Sequence, residues 1–249
     1  YLFESWWIGL LFGVAGSLAV SLLFAFFVLK MKTGEFITGI AINTFVAGAT
    51  TYYLRQLFDV KGSLMDPRIV ALPKWDIPII KNIPVIGSII NGHAFPLYFT
   101  FFIIVPLVYV IIYKTPFGLR LRACGHDSKV IDSVGIKADK LKFISIMICG
   151  ALCGVGGTFL SLGIMRMFTE NMSNGRGWIS LAIIILSLGN PVKVFAICII
   201  FGITEGLGLT LQQVNIPNQI TDMLPYLAVL AALYINSRQS KKKELKTKK

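Results

Sequence analysis

Apolar residues fall in seven runs, at 6–29, 36–57, 96–113, 143–163, 177–189, 193–211 and 222–236, with polar stretches between them. Most approach the roughly 18 to 25 residues needed to cross a hydrocarbon core about 30 Å thick. Backbone in lipid has no water to bond to, so each run is predicted to be helical, with its peptide groups paired internally. The pattern breaks twice. Residues 58–95 carry Pro67, Pro73, Pro78 and Pro84, and their apolar stretch Ile77–Ile90 is too short and interrupted to span. A segment lying on the outer surface is expected there. The run 177–189 makes only about 20 Å of helix at 1.5 Å per residue, and Gly189-Asn190-Pro191 ends it. It is either a tilted or re-entrant helix beside a substrate path, or a short helix shielded by its neighbours. The expected fold is therefore an all-α integral membrane protein: a polytopic helical bundle of about seven segments over 1–236, one of them short or re-entrant.

Composition agrees. The chain is 55% hydrophobic and 14% charged, with a mean hydropathy of +0.73, whereas soluble chains run nearer a quarter charged. The net charge of +12 does not point to nucleic acid, because no aromatic-plus-basic platform and no zinc-finger spacing accompany it. Basic residues instead orient the spans. With the basic tail 237–249 placed in the cytoplasm, alternation puts Tyr1 outside. The inner segments then hold 17 basic residues, seven of them in 114–142, and the outer segments hold 7. The inverse orientation would reverse that bias. Trp6 and Trp7 sit where an outer interfacial belt is expected. The chain opens at Tyr1 already heading into a span, from which a preceding segment is expected.

Chemistry is sparse. There is no phosphate loop of the G-x-x-x-x-G-K-[ST] type, no HExxH and no GxSxG, so neither ATP binding in the P-loop manner nor a membrane enzyme is indicated. The four cysteines form no CxxC pair or Cys/His cluster, and no metal site or disulfide framework is expected. Within the apolar runs the one clear ionisable candidate is Glu205, in Phe201-Gly-Ile-Thr-Glu-Gly-Leu-Gly-Leu209. Two readings stand for it: a proton-coupling carboxylate, as in an ion-driven carrier, or a carboxylate bonded to a neighbouring helix. Gly9 and Gly13, Gly150 and Gly154, and Gly202 and Gly206 recur at four-residue spacing, which lets helix backbones approach closely.

The most specific stretch is Thr115-Pro-Phe-Gly-Leu-Arg-Leu-Arg-Ala-Cys-Gly125, continuing through Asp132-Ser-Val-Gly-Ile136. It predicts a short helix with Pro116 in its first turn and Gly125 at its end. Phe117, Leu119 and Leu121 offer apolar anchors, and Arg120 and Arg122 offer cationic ones. Such a helix either docks into a groove on a soluble motor domain or rests on anionic lipid headgroups. The pattern T-x-x-G-x-R-L-R-A-x-G followed by V-G-I resembles the coupling-loop signature of the ABC permease family that serves branched-chain amino acids, simple sugars and nucleosides. Ile148-Cys-Gly-Ala-Leu-Cys-Gly-Val-Gly-Gly157 is similar to that family's glycine/alanine-rich span. Asn174-Gly-Arg-Gly-Trp-Ile-Ser-Leu-Ala182 is similar to its G-x-G-[FW]-I-x-L-A segment, and Gly189-Asn190-Pro191 to the break that follows. Met223-Leu-Pro-Tyr226 resembles the start of its last span, and Ile37-Thr-Gly-Ile-Ala-Ile-Asn43 an early span of the nucleoside/simple-sugar branch. The family's usual N-x-G-x-E-G-like opening segment is not in the chain.

The resemblance implies a transport subunit with no ATPase site or cofactor of its own, in a bacterial cytoplasmic membrane. Its implied partners are a second permease, a cytoplasmic ATP-binding subunit and an extracellular substrate-binding lipoprotein. It implies coupling to the ATPase through Thr115, Phe117, Gly118, Leu119, Arg120, Leu121, Arg122 and Gly125 within the loop 114–142. Nucleosides are the first expected substrate, with simple sugars and branched-chain amino acids as alternatives. Asn43, Glu170, Asn171, Trp178 and Glu205 are the candidates for the translocation path, offering amide, carboxylate and aromatic faces to a ribose and a base.

Overall fold

A computed structural model describes residues 5–65, 72, 98–212, 223 and 227 of the chain. Eight α-helices lie among the described residues: α1 (Trp6–Ala25), α2 (Glu35–Phe58), α3 (Val105–Lys114), α4 (Pro116–His126), α5 (Ser128–Ser133), α6 (Ala138–Thr158), α7 (Arg176–Ser187) and α8 (Pro191–Gln212). Single π-helical turns extend α1 through Phe26–Lys30, precede α3 at Thr100–Ile104 and extend α6 through Phe159–Met165. Six of the seven apolar runs thus fall on helices. The seventh, 222–236, lies almost wholly outside the described residues, as do most of 58–95 and the whole tail 237–249.

Among the described residues, three helices are long and apolar enough to cross a membrane: Trp6–Lys30, Ala138–Met165 and the part of α8 up to Gly208. The bent pair Thr100–Lys114 and Pro116–His126 makes a fourth if counted as one span. At 24 residues α2 is about 36 Å long, sufficient in length. It falls outside that set because Asn43, Thr44, Thr50, Thr51, Tyr52 and Tyr53 dilute its apolar residues. The expected run at 143–163 begins earlier, at Ala138, because the Asp132 carboxylate accepts the Ala138 amide proton at 2.9 Å and starts the helix there.

The chain divides into two compact units, 1–173 and 174–249. In the first, α1 and α6 run antiparallel in close contact, and the residues responsible are small and four apart on both helices. Gly9 faces Leu162, Gly13 faces Thr158, and Gly154 faces Val14 and Ser17. Gly150 faces Ser21 and takes a 2.7 Å hydrogen bond at its carbonyl from the Ser17 hydroxyl. A Cβ at Gly154 would sit 2.7 Å from the Val14 Cα, and one at Gly150 would sit 2.6 Å from the Ser21 Cβ. Lipid is as apolar as the side chains, so close backbone packing rather than hydrophobic burial holds such a pair together. The sequence motif marked the four glycines; Ser17, Ser21 and Thr158 complete the seam. Outward faces stay apolar, with Leu11 and Phe12 exposed on α1, as a lipid-facing surface requires.

At one end of this unit a two-residue antiparallel ribbon pairs β1 (Ser63–Leu64) with β2 (Phe168–Thr169). Leu72 is buried there and donates its amide to the Leu162 carbonyl at 3.3 Å, so one residue of the proline-rich segment is fixed against the end of α6. In the second unit α7 and α8 form a helical hairpin around Ile183 and Phe201, backed by Ile179, Ala182, Val194 and Ile197. The turn between them explains Gly189-Asn190-Pro191. Gly189 holds φ +70, a conformation open to glycine. The Asn190 side chain accepts the Val192 amide at 3.0 Å as the N-cap of α8, and Pro191 takes the first helical position.

Candidate functional site

The loop expected to couple to a motor is a folded object. The helix through Lys114 and α4 meet at 72°, and Thr115 is the joint. Its backbone is extended, its hydroxyl donates to the Ile111 carbonyl at 2.6 Å, and the same oxygen accepts the Gly118 amide at 3.2 Å. One side chain therefore ties off the last turn of α3 and caps the first turn of α4. Pro116 occupies the first helical position, where its missing N–H is not needed. Gly118 is buried against α3: a Cβ there would lie 2.5 Å from the Ile112 Cα and closer still to the Ile111 and Ile112 carbonyl oxygens. The glycine is what lets the two helices fold against each other.

From the bend, α4 presents two faces. Phe117 and Cys124, two turns apart, turn inward onto Ile131, Ile136, Ala138 and Leu141. Leu121 is half-buried. Arg122 lays its guanidinium 4.9 Å over the Tyr113 ring of α3, a cation–π contact that braces the elbow. Outward point Leu119, 62% exposed, and Arg120 and Gly125. The helix does not end at Gly125 as expected. It continues to His126, because Asp127 is the residue that leaves helical geometry and caps α5 through the Lys129 amide at 2.9 Å.

The V-G-I part of the motif also has a structural cause. Gly135 at φ +83 donates to the Asp132 carbonyl at 3.0 Å, Ile136 donates to the Ile131 carbonyl at 3.2 Å, and Ile136 packs into the cluster that contains Ile131. This is the Schellman pattern that ends a helix with a left-handed residue. Asp127 is the elbow residue not named from sequence, and Cys124, Asp132 and Ile136 stood in the motif without an assigned role. An Asp-Ser pair after a helix and a Gly one turn beyond α5 were the readable signals.

The five path candidates lie in different places. Asn43 lies on α2 and lines a cavity of about 360 Å³ between α1, α2 and α6. Glu170 follows β2; its amide donates to the Gly62 carbonyl at 2.9 Å, and its Oε1 is buried with no partner among the described residues. Asn171, next to it, is exposed at φ 55. Neither residue lines the Asn43 cavity. Within the second unit, Trp178 is exposed on α7, and Glu205 on α8 accepts from the Arg176 guanidinium, through Nε at 3.1 Å and also through Nη2. Glu205 is thus bonded to the neighbouring helix. Among the described residues no group of His, Cys, Asp and Glu is placed to hold a metal ion.

Long apolar helices, a small-residue seam between two of them and outward apolar faces define a polytopic helical membrane protein. Residues 1–233 match the family described as branched-chain amino acid transport system / permease component. The chain is 29% identical to the guanosine ABC transporter permease protein NupQ of Bacillus subtilis over 91% of its own length and 72% of that protein. It is 28% identical to the nucleoside ABC transporter permease protein NupC of Lactococcus lactis, again over 91% of this chain and 72% of the relative. A putative glucose ABC transporter permease of Haloferax volcanii is 24% identical over 92% of this chain and 74% of its own. No solved structure matches the chain. The chain belongs to the branched-chain amino acid transport system permease family and is a membrane permease subunit of an ATP-binding-cassette transport system.

Proposed function

We propose that this subunit forms part of the import path for nucleosides and couples to a cytoplasmic ATPase through the elbow at 115–136. The observation that carries the coupling is the construction of the bend. Thr115, Pro116 and Gly118 fix α4 at 72° to the helix before it, Phe117 holds it from inside, and Arg122 braces it across the Tyr113 ring. Leu119 and Arg120 remain outward to meet a partner. A rigid helix joined to a span at a fixed angle passes a push on its outer face into the span. Seven basic residues in 114–142 support a cytoplasmic position for this loop and for the tail 237–249, in a bacterial cytoplasmic membrane.

Nucleosides lead because two relatives are described as a guanosine and a nucleoside permease. A further relative, the nucleoside permease NupB of Lactococcus lactis, is 23% identical over 78% of this chain. Two such permeases in one organism support a second, paralogous membrane subunit as partner. ATP is then bound by a separate cytoplasmic subunit, and an extracellular lipoprotein delivers substrate, with no cofactor on this chain. The glucose permease relative supports simple sugars as the second reading. The Arg176 partner supports a structural role for Glu205, against an ion-coupled carrier. The test is uptake of labelled guanosine, glucose and leucine by proteoliposomes holding this chain with its co-purifying subunits. Guanosine uptake that requires ATP is expected. Uptake in the absence of ATP, or of leucine alone, would overturn the reading.

A further inference from the structure

An asparagine on a membrane helix carries an amide that needs hydrogen-bond partners, since lipid supplies none. Asn43 has no such partner among the described residues, and its side chain borders the 360 Å³ cavity between α1, α2 and α6. Facing it across that space are Ser17 and Ser21 on α1 and Cys149 and Cys153 on α6, with the Phe24 ring at one wall. Ser17 is committed to the Gly150 carbonyl, which leaves Asn43 and Ser21 as the free polar groups of an otherwise apolar chamber. Small-molecule sites have this make-up: about 300 to 1,000 Å³, mostly apolar, with a few placed polar groups. An amide both donates and accepts, so it pairs with edges that do the same, such as the amide-like edge of a purine. An aromatic ring offers the face on which a base stacks. The face of α2 that carries Gly39, Asn43 and Val46 continues to Thr50 and Leu54, which border a second cavity of about 260 Å³ with Leu64 and Phe168 of the ribbon.

We propose that this chamber is a nucleoside subsite on the translocation path, in which Asn43 pairs with the base edge, Ser21 bonds a second polar group and Phe24 stacks. The assignment rests on the nucleoside reading above. It also accounts for α2, whose polar residues make it a poor lipid-facing helix but a suitable wall for a path.

The test uses the assembled transporter in proteoliposomes and N-ethylmaleimide as the probe, because Cys149 and Cys153 both line the chamber and are exposed. Guanosine is expected to slow alkylation of these two cysteines severalfold, located by peptide mass spectrometry, while alkylation of Cys198 is unaffected. Asn43→Ala is expected to raise the KM for guanosine uptake about tenfold, the loss typical of one hydrogen bond to the ligand, and Asn43→Gln to recover part of it. If the wild-type transporter carries guanosine but guanosine protects neither cysteine, the subsite is wrong and the transport reading stands. Should Asn43→Ala fail to assemble, the protection experiment on wild-type protein decides alone. Absence of guanosine uptake by the wild type would overturn both.

Discussion

Replacing Gly118 by alanine adds one methyl group at the tightest point of the elbow. In an ordinary exposed helix the change favours folding by about 1 kcal/mol, because alanine is the better helix former. At this position the new Cβ would fall 2.5 Å from the Ile112 Cα and still closer to two carbonyl oxygens of α3. Those atoms are backbone within a helix and cannot rotate away as a side-chain end can, so the overpacking cost lies at or above the upper part of the usual 1–3 kcal/mol or so. Overpacking wins: α4 must swing off α3, breaking the Thr115–Gly118 cap and the Arg122–Tyr113 contact. Gly125→Ala, on the same helix with nothing within 4 Å of its Cβ, is the matched control and is expected to be neutral or stabilising by up to about 1 kcal/mol. The assay is the thermal stability of the purified complex together with ATP-driven uptake in proteoliposomes. Gly118→Ala should lower the unfolding midpoint and reduce uptake per ATP hydrolysed severalfold, while Gly125→Ala leaves the unfolding midpoint in place. Equal behaviour of the two variants would refute the close approach of α4 to α3.

Thr115→Val keeps the shape but removes both hydroxyl bonds, and should destabilise the elbow by about 1–2 kcal/mol, the range for a lost N-cap, read as a lower unfolding midpoint. Gly154→Val places bulk against the Val14 backbone and should separate α1 from α6; a cysteine pair engineered at Gly9 and Leu162 should then cross-link poorly. Glu205→Gln should leave ATP-driven uptake largely intact, since the amide oxygen of glutamine can still accept from the Arg176 guanidinium. Loss of uptake on this change, together with wild-type uptake that requires an imposed proton gradient, would instead mark Glu205 as an ion-coupling group.

The spans were legible because run length and apolar content decide them, and the described boundaries depart mainly where polar caps act. Asp132 moves the start of α6 back to Ala138, and Asp127 carries α4 past Gly125; a hydropathy pattern has no access to either bond. The short helix 177–189 was correctly placed; it ends on Leu188, left-handed at φ 54, with Gly189 following at φ +70, Asn190 capping α8 and Pro191 opening it. For the elbow, the helix was legible but not the contacts of its side chains. Phe117 packs onto Ile131 and Leu141, and Arg122, while exposed, lies over Tyr113, because the 72° bend brings these residues within reach. Helical periodicity cannot show a bend set by one glycine and one threonine. Ser17 and Ser21 were missed because a serine one or two turns past a glycine pair carries no signal until the opposing helix is in place.

If α4 is the surface through which a partner ATPase acts, a cross-link from its outward face shows it most directly. With Leu119→Cys as the probe position, the purified transporter is treated with a short bifunctional thiol reagent in the presence and absence of ATP. A covalent product between this chain and the ATP-binding subunit is expected, with a yield that changes with nucleotide, and none from a cysteine placed at the outward Phe12 of α1. Efficient cross-linking of Leu119→Cys to lipid-embedded subunits alone, with the ATPase present but unlabelled, would contradict it.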